Sequence, residues 1–251
     1  MKRTIISLVI IMTTILLSAQ KVNIAAAANL KYVLEEIKKE YIKTHPKAKI
    51  NMTFGASGTL VQQISNGAAF DFFMAADNEF PLKLKQKGLT TGVMSTYAYG
   101  KLVMYSTTLD LNKRGLEAIK DPSVKKIAIG NPQTAVYGTR TVELLKSMKL
   151  YESVQAKIVI GENIAQTAQF AFTGNAEIGF IPLSLAIAPD MASAGNYYII
   201  PPKLYSPIEQ ACILIRTKVL NTEAAKFKQF VLSPATKGFW EKYGYKVGSE
   251  K

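Results

Sequence analysis

The residues best placed for chemistry are Gly55-Ala56-Ser57-Gly58-Thr59. They lie between the apolar alternation of Ile50, Met52 and Phe54 and the helically spaced Leu60, Val61 and Ile64. A strand, a tight turn and a helix start are predicted there, the helix stopping at Asn66-Gly67. Two chemistries suit a serine in that place. One is nucleophilic, because the run comes within one residue of the G-x-S-x-G elbow that carries the serine of a hydrolase. The other is electrostatic: the first turn of a helix has N–H groups without partners and the positive end of the helix dipole, which together favour an anion. Ser57 or Thr59 serving only as a helix N-cap is the plain alternative.

The hydrolase needs a histidine base. The chain has one histidine, His45, ahead of the serine in the polar turn Thr44-His45-Pro46-Lys47. With Cys212 the sole cysteine, a zinc site of the usual His and Cys ligands cannot be assembled either. Neither G-x-x-x-x-G-K-[ST] nor G-x-G-x-x-G occurs. Asp71 with Asp77, or Glu35 with Glu36, could be paired as acid and base, but each falls at an element edge or on a wet helix face.

Three further turns have the form of the Ser57 turn, each after an apolar run and before a helix: Ala28-Asn29, Tyr137-Gly138 and Asn163-Ile164. Asn29 stands where an N-cap belongs, ahead of Leu30, Val33, Leu34, Ile37 and Tyr41 at helical spacing. Asn163 with Gln166 has capping-box spacing. Four helix starts turned into one cleft would hold a doubly charged oxyanion with no Lys or Arg in contact. Hydrogen bonds to a charged acceptor contribute about 1.5–3 kcal/mol each, so roughly six give sub-micromolar affinity after the cost of association.

The elements that would position these turns alternate. Strands are predicted at 21–24, before Ser57, at 71–77, 97–106, 126–130, 157–160, 176–181, 197–200 and 208–216; helices lie between most of them, and two more close the chain, at 222–232 and from Ser233-Pro234 to Gly244. A largely parallel sheet with helices on both sides is the economical architecture. No repeat or long linker divides the 251 residues, so if there are two lobes the chain crosses between them near Gly100 and again near Ser206.

Lys2 and Arg3 precede an apolar run, 5–17, and Leu17-Ser18-Ala19 offers a small residue for cleavage: residues 1–19 read as a secretory signal. No cysteine sits near that point for a lipid anchor, and Cys212, among Ala211, Ile213 and Leu214, reads as a buried thiol. The formal charge of +13 fits attraction to anions. The lysines are scattered, without the basic and aromatic stripe that nucleic acid requires.

Taken together, these stretches resemble the periplasmic molybdate-binding proteins of molybdenum ABC importers, within the type 2 periplasmic solute-binding fold. The resemblance runs over the whole mature chain. It rests on Ala25-Ala26-Ala27-Ala28-Asn29-Leu30, on residues 54–60 with Gln63-Ile64, and on residues 71–77. Asn131-Pro132 before Tyr137-Gly138, Glu162-Asn163-Ile164, Gly179-Phe180-Ile181 and Lys242-Tyr243-Gly244-Tyr245 add to it. It implies an α/β protein of two lobes, each a mixed, mostly parallel sheet flanked by helices: 20–100 with 206–251, and 101–205. Molybdate or tungstate would lie in the cleft, held by the side chains and N–H groups of Asn29 and Ser57 and the backbone N–H groups of Tyr137 and Ile164. The family's tyrosine hydroxyl falls on Pro182 here, and Tyr137 is the candidate to supply it instead. The same resemblance implies a monomer without a cofactor and without enzymatic activity, delivering its ligand to an inner-membrane permease. Sulfate or another oxyanion is the alternative guest. Phosphate, which keeps a proton at neutral pH, wants an acceptor such as Asp that none of the four turns directly offers.

Overall fold

The computed structural model describes residues 21–248. The proposed signal segment therefore lies outside the described residues.

Alternate residues of the buried strands face different apolar clusters. On β1 (Lys21–Ala27), Val22, Ile24 and Ala26 enter one cluster and Ala25 another. On β3 (Phe72–Met74), Phe72 and Met74 part in the same way from Phe73. Both faces of such strands are covered, which is why they read as unbroken apolar runs.

Among the described residues ten strands form two sheets of five. The first has the order β2 (Lys49–Gly55), β1, β3, β10 (Ile208–Ile215), β4 (Thr90–Gly100). The second runs β7 (Ile158–Gly161), β6 (Ile127–Gly130), β8 (Ile178–Pro182), β5 (Leu102–Ser106), β9 (Asn196–Ile199). The two orders are equivalent. In each, three parallel neighbours begin the sheet, and the strand delivered by a crossing, β10 or β5, pairs antiparallel on both sides. The architecture is two-lobed α/β with mixed sheets; the inserted strands limit parallel pairing to one side of each.

The single strand read over 97–106 is two strands in different sheets, with only Lys101 between Gly100 and Leu102. A Cβ at Gly100 would press on Tyr137 Oη and Gln210 Nε2, so any side chain where the chain passes between the sheets would displace those two polar ends. The return runs from Ile199 to Ile208 through Pro201 and Pro202. The C-terminal segment is tied to this crossing by the Tyr99–Lys246 bridge, with N–H···O distances of 2.8 and 3.0 Å.

Cys212 is fully buried and burial pushes its thiol up to about 12, as its apolar neighbours led one to expect. Among the described residues no helix is long and apolar enough to cross a membrane.

Candidate functional site

Register brings the four turns together. Ala27 at the end of β1 stands opposite Gly55 at the end of β2, and Gly130 of β6 opposite Gly161 of β7. Each parallel pair therefore ends level, and beyond each end the chain turns into a helix. These are the 3₁₀ turn Ala28–Leu30 leading into Lys31–Thr44, and the helices Ser57–Ser65, Val136–Ser147 and Ile164–Phe172. The carboxyl ends of parallel strands are where α/β sheets bind ligands.

Asn29, Ser57, Tyr137 and Ile164 all line one small cavity of about 10 Å³, with Ala28, Ala76 and Val136 beside them. They are 1, 2, 1 and 4 % exposed, so each meets the cavity from a buried position. Beside the cavity Gly58 N–H, next to Ser57, donates to Thr134 O, which precedes the helix of Tyr137, at 2.9 Å. A larger cavity, about 380 Å³, lies against β4, lined by Thr96, Tyr99, Leu232, Trp240 and Val247. It collects none of the four turns, so size does not mark the site.

Ser57 is not the cap of its helix. That position belongs to Ala56, with no side-chain capping bond. The Ser57 hydroxyl instead accepts from Ala76 N–H at 3.0 Å, which fixes its oxygen and leaves its own proton to donate. The Ser57 N–H lies ahead of the first intrahelical bond, Leu60 N–H to Ala56 O. Val136 and Tyr137 N–H are likewise free of the helix, because Gly138 and Thr139 take Ala135 O. At the fourth turn Asn163 does cap, accepting from Ala165 and Gln166 N–H, and Ile164 N–H remains. The capping-box partner reaches one residue further back than expected: Gln166 Oε1 accepts from Glu162 N–H at 2.7 Å.

Two expectations are corrected. Asn29 caps nothing: the helix begins after Leu30, and the Asn29 carboxamide donates through Nδ2 to Gln210 Oε1 and Tyr245 Oη, both at 2.9 Å. The Tyr137 hydroxyl lies 3.4 Å from Gln210 Nε2 and against Gly100, so the group that residue offers the cavity is its N–H. Pro182, ending β8, is the N-cap residue of the short helix Leu183–Ala186.

Among the described residues no Lys, Arg, Asp or Glu lines the cavity. Four helix starts, each with roughly half a positive charge, supply a field of about +2 without a formal cation. His45, the only histidine, is held at the opposite end of Lys31–Thr44. Its ring stacks on Tyr41 with centroids 4.0 Å apart, and its Nδ1 is 2.9 Å from Thr44 Oγ1. Fourteen residues of helix span about 21 Å, so the base a hydrolase requires is not beside Ser57.

Sequence reasoning missed Gly58–Thr134, Gln210 and Asp77 as parts of the site's frame. Asp77 follows Ala76, is 6 % exposed, and accepts from Phe80 N–H at 3.0 Å. Burial first, and then Glu79, raises its carboxyl to about 6 against the pull of the Phe80 N–H. The folded protein thus holds this proton more tightly than the unfolded chain between about pH 4 and 6, and stability falls as pH rises through that window. Asp77→Asn keeps an acceptor for Phe80 and removes the titration. At pH 7 it is expected to be more stable than wild type by roughly 3 kcal/mol, the difference vanishing near pH 4, in urea unfolding across that range. Equal curves at both pH values would contradict this.

A family model of bacterial extracellular solute-binding proteins matches residues 22–246. The molybdate-binding protein ModA of Azotobacter vinelandii is 35 % identical over 228 residues, 90 % of each chain. That of Rhodobacter capsulatus is 33 % identical over 198 residues, 78 % of this chain and 77 % of its own. The solved structure of the Azotobacter vinelandii periplasmic molybdate-binding protein superposes with a TM-score of 0.85 at 27 % identity, covering 91 % of this chain and all of that one. The chain is a bacterial extracellular solute-binding protein and belongs to the molybdate-binding protein family.

Proposed function

We propose that this protein captures molybdate or tungstate outside the inner membrane and delivers it, lobes closed, to the permease of an ABC importer. The observation that carries the reading is an uncharged cavity into which four helix starts from two sheets converge. A tetrahedral dianion has four oxygens for the donors present: the hydroxyl of Ser57 and N–H groups that include Ser57, Tyr137 and Ile164; the Asn29 carboxamide joins them when its NH₂ is turned to the guest. The proposed lobes are 20–100 with 206–251, and 101–205, turning about the crossings at Gly100 and near Ser206. The anion meets one lobe in the open form. It then draws the second set of helix starts over itself, and the Gly58–Thr134 bond forms as the cleft shuts. The protein acts as a periplasmic monomer and has no cofactor; the anion is cargo. It leaves as it entered, with no bond made or broken.

Relatives named for molybdate support molybdate over sulfate, whose equal charge makes size the discriminant. Titration calorimetry of the mature protein with molybdate, tungstate, sulfate and phosphate tests this. Tight heats are expected from the first two only; sulfate heat of equal affinity would overturn the assignment. Ser57→Ala removes one hydrogen bond to a charged group, worth about 1.5–3 kcal/mol, and should weaken molybdate roughly 10- to 100-fold. Wild-type affinity in that variant would remove Ser57 from the site.

A further inference from the structure

Beneath the cavity lies a fully buried polar cluster that joins the two lobes, and Gln210 is its centre. Gln210 is 0 % exposed on β10, in the first lobe. Its Oε1 faces Asn29 Nδ2 at 2.9 Å and the Tyr97 hydroxyl at 3.0 Å, and its Nε2 faces the hydroxyl of Tyr137, in the second lobe, at 3.4 Å. Asn29 O receives Ser184 Oγ–H at 3.0 Å, and Tyr245 Oη lies within 2.9 Å of both Asn29 O and Asn29 Nδ2.

Two groups in this arrangement go unanswered. Asn29 Oδ1 is buried with no hydrogen-bond partner, although Asn29 lines the cavity. Its Nδ2 is spent on Gln210 and Tyr245, which do not line it, so the end left toward the guest is an oxygen. An oxygen facing a dianion is repulsive. The Tyr137 proton, too, has no acceptor among the described residues. A carboxamide presents a different group at each end, and half a turn exchanges them.

Turning both amides answers both groups. Gln210 Nε2 then donates to Asn29 Oδ1 and to the Tyr97 oxygen, whose own proton goes to Ala75 O at 2.7 Å. Tyr137 donates to Gln210 Oε1. Tyr245 can donate to Asn29 Oδ1, while Ser184 keeps Asn29 O. Asn29 Nδ2 is left facing the cavity as a donor.

We propose that Gln210 is a positioning and specificity-determining residue, holding the Asn29 carboxamide with its NH₂ toward the oxyanion. Because Gln210 is itself oriented by Tyr137 from the other lobe, Asn29 becomes a donor as the cleft closes. With the NH₂ turned inward the site favours a fully ionised oxyanion; with the oxygen inward it would accept the proton of hydrogen phosphate. This rests on the oxyanion-binding reading above.

The test is a double-mutant cycle of Gln210→Met and Asn29→Ser, with molybdate and phosphate titrated at pH 7. Gln210→Met should weaken molybdate roughly 10- to 100-fold and lower the molybdate-to-phosphate preference at least about tenfold, since it frees the amide without adding charge. In the Asn29→Ser background, which has no amide to orient, the Gln210→Met effect should shrink below about threefold. Equal losses in both backgrounds, or no loss in either, would overturn the proposal. If Gln210→Met does not fold, the wild-type protein decides by ¹⁵N NMR. The Asn29 and Gln210 side-chain NH₂ signals, identified by substitution and by specific labelling, should both shift on adding molybdate, and unmoved Asn29 signals would sink it. Wild-type protein that gives no molybdate heat at all would instead refute the underlying function.

Discussion

Gly58→Leu is expected to abolish tight oxyanion binding while leaving the unliganded fold intact. A Cβ at residue 58 would lie 2.9 Å from Thr134 Cα and 3.0 Å from two ring atoms of Phe80. The Phe80 ring is a side chain of the same lobe and can turn aside. Thr134 Cα is backbone, fixed beside residue 58 where Gly58 N–H donates to Thr134 O, and on the proposed closure the two meet only when the cleft is shut. The substitution is therefore a wedge in the closing cleft. Overpacking of one methylene costs about 1–3 kcal/mol, and a leucine adds several, so affinity should fall at least about 100-fold. Helix propensity favours leucine over glycine by roughly 0.8 kcal/mol, which keeps the melting temperature of the free protein level or slightly higher. Calorimetry with molybdate, alongside a melt without it, separates the two effects. Undiminished affinity would mean that Gly58 and Thr134 do not meet in the bound state.

Gly138→Ala should act on the fold itself. Its Cβ would stand 2.0 Å from Gly130 O, 2.6 Å from Gly130 C and 3.1 Å from Asn131 C, all of them backbone. Relief requires the helix Val136–Ser147 to lift off the end of β6, taking the Val136 and Tyr137 N–H groups out of the cavity. A loss of about 3 kcal/mol or more is expected, or a melting temperature lower by roughly 6–12 °C for a chain of this size, together with weakened molybdate binding. An unchanged melt would contradict the close packing of that helix on β6.

What the sequence discloses here is what short-range chemistry dictates. The Ser57 turn, the buried runs of β1 and β3 and the Asn163 cap are set by neighbours within a few residues, and they are legible. Asn29 is misread as a cap because its partners, Gln210 and Tyr245, stand 181 and 216 residues away. The break between β4 and β5 is hidden for the same reason: Gly100 looks like an ordinary strand residue until Tyr137 and Gln210 are packed against it. The first half of β4 escapes notice because it lies at the edge of its sheet, with Gly92, Val93 and Thr96 exposed and no clear alternation. The short helices Leu183–Ala186 and Pro189–Ala194 are too brief to show a period. The four candidate site residues are legible as a set only because each stands at the start of a helix or 3₁₀ turn that follows a strand. The level ends of β1 with β2 and of β6 with β7 pair the turns within each sheet, and that the two pairs meet at one cavity is what no single turn reveals.

The most direct measurement is a crystal structure of the mature protein with tungstate, the metal located by its anomalous scattering. One tungsten is predicted between the lobes, its oxygens within about 3 Å of Ser57 Oγ, Asn29 Nδ2 and the N–H groups of Ser57, Tyr137 and Ile164, with no lysine or arginine touching it. A tungsten salt-bridged to a basic side chain, or seated in the larger cavity against β4, would contradict binding by helix starts alone.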